Sequence, residues 1–121
     1  SVAAFLPGPN MAVYQATKAY FLSLSEAVAT ELSGTGVSVT ALCPGATDTA
    51  FFAADDAVKA TLISRRALAS AAEVAQAGWT AMEKGQRVKV PGVLNQIFAN
   101  LPRFAPRALT AWVSAIFLKR R

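Results

Sequence analysis

The sequence contains no histidine and a single cysteine, and these two shortages narrow the chemistry it can perform. Without histidine, neither a Ser-His-Asp nor a Cys-His nucleophile can form, and no metal can take an imidazole ligand. With Cys43 alone, disulfide scaffolds and cysteine-rich zinc sites are excluded as well. We interpret Cys43 as a buried, small hydrophobic side chain rather than a reactive thiol. We expect no metal site.

Long apolar runs are also missing from the sequence. The most apolar stretch, Ala108–Leu118, includes Thr110 and Ser114 and is shorter than the roughly 20 residues that cross a bilayer. No basic region precedes the apolar residues at the N-terminus, so the sequence predicts no signal peptide. We therefore expect a cytoplasmic protein.

Acidic residues are absent from the last third of the chain. Residues 1–83 contain four bases and seven acids, whereas residues 84–121 contain eight bases and no acid. A basic region can bind nucleic acid, an anionic membrane surface or an acidic partner. The bases are scattered among apolar residues and form no recognisable nucleic-acid module, so we expect no nucleic-acid binding. Peripheral membrane contact through residues 92–121 is kept as an alternative use of this basic region.

The pattern of apolar residues, glycine and proline predicts alternating strands and helices. The predicted helices are Met11–Ser33 with Asn10 as N-cap, a helix from the Ser70–Glu73 capping box to about Lys84, Val93–Leu101, and one that starts at Pro106. The predicted strands are the end of a strand at Ser1–Phe5, a buried strand at Val37–Cys43 and a short strand at Gln86–Val90. Residues 50–69 are interpreted as helical turns. This order favours an α/β layered fold with parallel strands.

Two of these helices have unusual surfaces. The first is apolar around most of its circumference, so we expect it to be buried on more than one side and to contact a second copy in a homo-oligomer. The last has a polar stripe of Arg107, Thr110 and Ser114 opposite an apolar face that includes Trp112 and Phe117. That face either covers the protein's own core or docks on an anionic membrane surface or a partner.

The residues that indicate chemistry are Tyr14 and Lys18, which lie four positions apart and so share one face of the first helix. A free phenol is a poor acid or base at neutral pH, but a nearby ammonium group favours the phenolate. Such a phenol can exchange a proton with a carbonyl or alcohol oxygen. By itself the spacing is common, and the alternative is core packing with a solvated lysine.

The surrounding motifs make the pair more specific. Ser1 lies thirteen positions before Tyr14, and Pro44-Gly45-Ala46-Thr47-Asp48-Thr49 follows the next predicted strand. A serine, a Tyr-x-x-x-Lys helix and a Pro-Gly-x-x-x-Thr loop in this order and spacing resemble the short-chain dehydrogenase/reductase family. The resemblance extends from Ser1 to about Pro91 and weakens through residues 92–121. It is closest to bacterial classical members with basic, apolar C-terminal helices.

The resemblance implies a role for each matching residue. Tyr14 would be the general acid/base, Lys18 would promote its phenolate and hydrogen-bond the nicotinamide ribose, and Ser1 would orient the substrate carbonyl. Pro44, Gly45 and Thr47 would place backbone groups against the nicotinamide, and Thr49 would lie near the cofactor phosphates. The resemblance thus implies an NAD(P)-dependent oxidoreductase acting on a small carbonyl or alcohol, with NADP slightly favoured over NAD.

The glycine-rich turn that holds a dinucleotide pyrophosphate is missing from the sequence. Gly34-Thr35-Gly36 follows a helix rather than a strand, so its context is wrong for that role. We therefore expect residues 1–121 to be the C-terminal, catalytic half of a Rossmann-like, doubly wound parallel sheet, with the dinucleotide-binding half absent and extra C-terminal helices. The isolated chain would be inactive. The alternative is a non-catalytic fragment or interaction module.

Overall fold

The computed structural model describes residues 1–48 and 69–118, and it shows helices packed beside short parallel strands. The described helices are α1 (Ala12–Glu31), α2 (Ala71–Glu83), α3 (Val93–Asn100) and α4 (Arg107–Phe117). Single 3-10 segments occupy Val2–Phe5 and Leu101–Phe104. The strands are β1 (Ala41–Leu42), β2 (Thr47–Asp48), β3 (Ala69–Ser70) and β4 (Val88–Lys89). The α/β class predicted from the sequence is present in this small parallel arrangement.

The strands form two parallel pairs. β1 pairs with β4 in the register Ala41 opposite Val88, and β2 pairs with β3. The ladder between β1 and β4 continues for one more bond, since the Cys43 amide donates to the Lys89 carbonyl at 2.7 Å. The parallel direction was predicted, but the paired segments are shorter than the predicted strands Val37–Cys43 and Gln86–Val90. β1 ends one residue before the Pro44–Gly45 turn.

The N-terminal residues do not form the predicted end of a strand. Val2–Phe5 is a 3-10 helix that Ser1 caps, because the Ser1 hydroxyl accepts a hydrogen bond from the Ala3 amide at 3.2 Å. A serine hydroxyl at this position satisfies an amide that the first helical turn leaves free. The segment is joined instead to the turn that follows β1, because the Val2 amide donates to the Pro44 carbonyl at 2.9 Å.

Helix α1 matches the predicted segment, but its predicted cap is wrong. Met11 is the N-cap and makes no side-chain capping bond. Asn10 adopts a left-handed conformation with φ of 70°, and its amide donates to the Leu118 carbonyl at 3.2 Å. Asparagine tolerates this conformation better than most residues, so Asn10 makes the turn into the helix rather than its cap. At the other end, Gly34 has a φ of 83°, as predicted for a left-handed residue.

Helix α2 begins with the predicted capping box. The Glu73 amide donates to the Ser70 hydroxyl at 3.2 Å, and the Ser70 amide donates to the Glu73 carboxylate at 3.0 Å. The helix lies close to β1, because a Cβ added at Gly78 would come within 2.7 Å of Leu42 Cδ2. A glycine at that position therefore sets the distance between the helix and the strand.

The buried apolar residues are small, and large apolar side chains remain at the surface. The buried apolar residues are Ala29, Cys43, Val74, Ala81 and Ala99. Helix α4 turns two of its three polar stripe residues inward, since Thr110 and Ser114 are each only 7% exposed, while Arg107, Trp112 and Phe117 are exposed. The apolar face predicted for this helix therefore points away from the described core. No helix in residues 1–48 or 69–118 is long and apolar enough to cross a membrane.

Candidate active site

The centre of the candidate site is the pair Tyr14 and Lys18 on the first half of α1. One helical turn separates them, and the Lys18 ammonium lies 5.3 Å from the centre of the Tyr14 ring. At this distance the cation interacts with the electron-rich face of the ring. Tyr14 remains 37% exposed, so its hydroxyl is open to a ligand. The predicted shared face of these two side chains is therefore present.

Ser1 joins this pair through its side chain. The Tyr14 hydroxyl lies 3.5 Å from Ser1 Oγ, in the geometry of a donor to the serine oxygen. This is long for a bond between hydroxyls, which are usually 2.5–3.0 Å apart. Catalytic hydrogen bonds are often long before a substrate binds and shorten in its presence. An oxygen of a small ligand placed between the two hydroxyls could contact both.

The Pro44–Gly45 turn lies beside Ser1. The bond from the Val2 amide to the Pro44 carbonyl fixes the turn relative to the segment that carries the serine. Within the turn, the Thr47 hydroxyl donates to the Gly45 carbonyl at 3.1 Å, and Thr47 is buried. Its hydroxyl therefore stabilises the loop. Thr49 lies outside the described residues, as do residues 50–68.

Asn95 contacts the same turn, although sequence reasoning missed it. Its side-chain amide donates to the Pro91 carbonyl at 2.8 Å. The carboxamide also lies so close to Gly45 that a Cβ added there would be 2.5 Å from both Nδ2 and Oδ1. Helix α3 thus holds the turn on one side, while Val2 binds it through the Pro44 carbonyl. A polar residue in the first turn of a helix after Pro-Gly is the only sequence signal for this contact, and it is weak.

A second contact that the sequence did not reveal involves Gln15, the neighbour of Tyr14. Gln15 is buried, and a Cβ at Gly8 would collide with its carboxamide. Its Oε1 atom is buried without a hydrogen-bond partner among the described residues. Gly8 therefore provides the space that lets the Leu6–Asn10 loop lie against α1 at Gln15.

Cys43 is buried next to the site and is not exposed to it. The thiol is 3% exposed, and burial raises its pKa above the ordinary value. A raised pKa keeps the thiol protonated and weakly nucleophilic at neutral pH. These properties agree with the interpretation of Cys43 as a small hydrophobic side chain.

Within the described residues, Ser1, Tyr14 and Lys18, which we call the Tyr14 group, lie on an open surface. One surface cleft lies between α2 and β4 and includes Gln76 and Lys84. Another lies between β4 and α3 and includes Gln96 and Arg103. Neither cleft includes Tyr14 or its two partners, so the candidate site rests on the side-chain geometry rather than on a cavity.

Comparison with protein-family models finds a match to the stretch of sequence that carries this geometry. The model of the short chain dehydrogenase family matches residues 1–60, a stretch that contains Ser1, Tyr14, Lys18 and the Pro44–Gly45 turn. This match supports a fragment of the short-chain dehydrogenase family, whose general class is that of oxidoreductases. No curated protein and no solved structure matches the chain.

Proposed function

We propose that this chain is the catalytic portion of an NAD(P)-dependent oxidoreductase that reduces a small carbonyl compound or oxidises the corresponding alcohol. The observation that carries the proposal is the convergence of three groups. The Tyr14 hydroxyl lies 3.5 Å from Ser1 Oγ, and the Lys18 ammonium lies 5.3 Å from the Tyr14 ring. All three residues fall inside the stretch that matches the family.

The proposed division of labour follows from the chemistry of these groups. Tyr14 exchanges a proton with the substrate oxygen, which accepts it in reduction and releases it in oxidation. Ser1 hydrogen-bonds the same oxygen and holds it beside the phenol. The positive charge of Lys18 stabilises the phenolate that forms when Tyr14 gives up its proton. When bound, the nicotinamide dinucleotide supplies or accepts the hydride.

The described residues fit the nicotinamide end of such a cofactor. Tyr14 and Lys18 offer a hydroxyl and an ammonium, and the turn at Pro44–Gly45 offers backbone groups on the same side as Ser1. The Thr47 hydroxyl already donates its hydrogen to the Gly45 carbonyl, so we propose that Thr47 contacts the cofactor through a backbone group. We keep Thr49 as a proposed contact near the phosphates, and NADP as slightly favoured over NAD.

A tyrosine variant tests the catalytic role. In the longest reading frame that contains this chain, Tyr14→Phe should lower turnover about 10²–10⁴-fold, the usual contribution of a general acid/base. Tyr20→Phe is the matched control, because Tyr20 lies on the same helix, is more exposed and contacts Phe21 rather than Ser1. Turnover is read from nicotinamide absorbance with a panel of aldehydes and ketones. Equal activities of the two variants would contradict the assignment.

The proposal also concerns what the 121 residues do alone. The sequence contains no glycine-rich turn after a strand, so the pyrophosphate and adenine of a dinucleotide lack their usual binding elements. We therefore propose that this chain is the C-terminal half of a doubly wound domain and binds cofactor weakly by itself. Titration of the chain with NADPH and NADH checks this. Micromolar binding of either would overturn the half-domain proposal and leave the role of Tyr14 intact.

A further inference from the structure

The last two helices present an apolar surface that the described core does not use. In α4 the inward side consists of Thr110 and Ser114, four residues apart and each 7% exposed. The Thr110 hydroxyl can be buried because it donates to the Arg107 carbonyl at 2.8 Å. The opposite side exposes Trp112, which is 64% accessible, together with Ile116. A helix oriented in this way does not contribute its hydrophobic face to its own core.

Helix α3 continues the same surface. The rings of Phe98 and Phe117 pack edge to face with their centres 6.4 Å apart, which joins the two helices. Leu94 and Ile97 on α3 are exposed, as is Phe104 between the helices. We call these side chains the terminal apolar surface; its members are Leu94, Ile97, Phe98, Phe104, Leu109, Trp112, Ile116 and Phe117. Single exposed apolar residues are ordinary, but exposed apolar side chains on and between two helices that touch through Phe98 and Phe117, four of them aromatic, mark an interaction site.

The charges around this surface identify the kind of partner. Arg103 is exposed in the 3-10 segment before α4, and Arg107 is exposed as the first residue of α4. In the sequence, Lys119-Arg120-Arg121 follows the end of the helix. No acidic residue occurs after Glu83. An apolar helix face with aromatic residues, bordered by arginine and lysine, is the pattern of helices that lie in the interface of a membrane. The long arms of arginine and lysine can reach phosphate groups while the helix lies deeper.

We propose that the terminal apolar surface docks on an anionic phospholipid membrane, with α3 and α4 lying in the headgroup region. The same surface on a second copy of this chain is a poorer fit, because a two-fold contact would bring two regions without acidic residues together. This proposal is independent of the oxidoreductase activity, since it uses no residue of the Tyr14 group.

Vesicle flotation tests the proposal, because aggregated chain sinks in the density gradient while bound chain rises with the vesicles. The chain should float with vesicles of phosphatidylglycerol and phosphatidylcholine, and less with phosphatidylcholine alone. Trp112→Ser should lower the vesicle partition coefficient by about tenfold or more, because it removes a large aromatic side chain from the apolar face. Trp79→Phe is the matched control, because Trp79 is 57% exposed but lies on α2, and it should change nothing.

A charge variant separates a docking defect from a folding defect. Arg103→Gln combined with Arg107→Gln leaves the apolar residues in place and should weaken binding about 25-fold, at about fivefold for each arginine. Absence of flotation with anionic vesicles, or equal flotation with neutral ones, would overturn the proposal. The proposal would also be overturned if the unsubstituted chain bound no vesicles but formed a dimer in size-exclusion chromatography, and if Trp112→Ser dissociated that dimer.

Discussion

Gly45→Ala should destabilise the chain because of one side chain, Asn95. The new methyl group would lie 2.5 Å from Nδ2 and Oδ1 of Asn95, far inside normal contact distance. Gly45 does not have a positive φ, so alanine fits its backbone conformation without strain. The whole cost of the substitution therefore comes from the displaced carboxamide.

The magnitude follows from what the carboxamide must give up. Moving it breaks the 2.8 Å hydrogen bond to the Pro91 carbonyl, which is worth about 1 kcal/mol. Forcing extra volume into a packed site adds about 1–3 kcal/mol. We expect Gly45→Ala to lower the free energy of unfolding by about 2–4 kcal/mol. Asn95→Ala alone removes only the hydrogen bond and should cost about 1 kcal/mol.

The double variant decides whether this reasoning is right. With Asn95 shortened to alanine, the methyl group at position 45 has room, so the double variant should be no less stable than Asn95→Ala alone. The coupling free energy is then as large as the cost of Gly45→Ala and opposite in sign. Urea unfolding followed by circular dichroism measures all four proteins.

A second glycine provides the control for this cycle. A Cβ at Gly34 meets no atom within 4 Å, but its φ of 83° makes alanine strained there. Gly34→Ala should therefore be destabilising through its backbone and additive with Asn95→Ala. Additive costs for Gly45→Ala and Asn95→Ala would refute the contact, because two residues that touch in this way must be coupled.

Three further variants probe positions around the fold. Gln15→Met removes the buried Oε1 atom that has no partner among the described residues, so the free energy of unfolding measured in urea should be unchanged or higher. A decrease in that free energy of more than about 2 kcal/mol would show that the amide has a hydrogen-bond partner. Ser70→Ala removes the cap of α2 and should cost about 1 kcal/mol by the same measurement. The hydrogen bond from the Ser70 amide lowers the pKa of Glu73 below its ordinary 4.5, so the stability it provides is present above pH 4.5 and is lost as the pH falls through the lowered value. Glu73→Gln should flatten that part of the pH profile, and an unchanged profile would contradict the role of the carboxylate.

Local patterns predicted the parts of the structure that depend on nearby residues. The Tyr14–Lys18 face follows from the helical repeat, and the capping box follows from a serine three positions before a glutamate. The parallel direction of β1 and β4 agrees with a crossover connection, which here includes helix α2. For the first two features the interacting residues lie within one helical turn, so the spacing in the sequence determines the geometry.

Contacts between distant residues could not be predicted in the same way. Asn95 reaches Gly45 across fifty positions of sequence, and nothing in the spacing of either residue indicates the other. The cap predicted at Asn10 failed for a similar reason, because its amide binds the Leu118 carbonyl at the opposite end of the chain. A hydroxyl or amide side chain has several possible partners, and tertiary packing selects among them.

The orientation of the last helices shows why an amphipathic pattern determines a helix but not its surroundings. The apolar stripe of α4 was visible in the sequence, yet the buried residues of this helix are Thr110 and Ser114. A threonine that bonds its own helix loses little when buried. Helix α3 shows the same division, since Asn95 faces the Gly45 turn while Leu94 and Ile97 face outward. One face of α3 therefore holds the candidate site in place, and the other is free to bind, so substitutions on the two faces should act on different measurements.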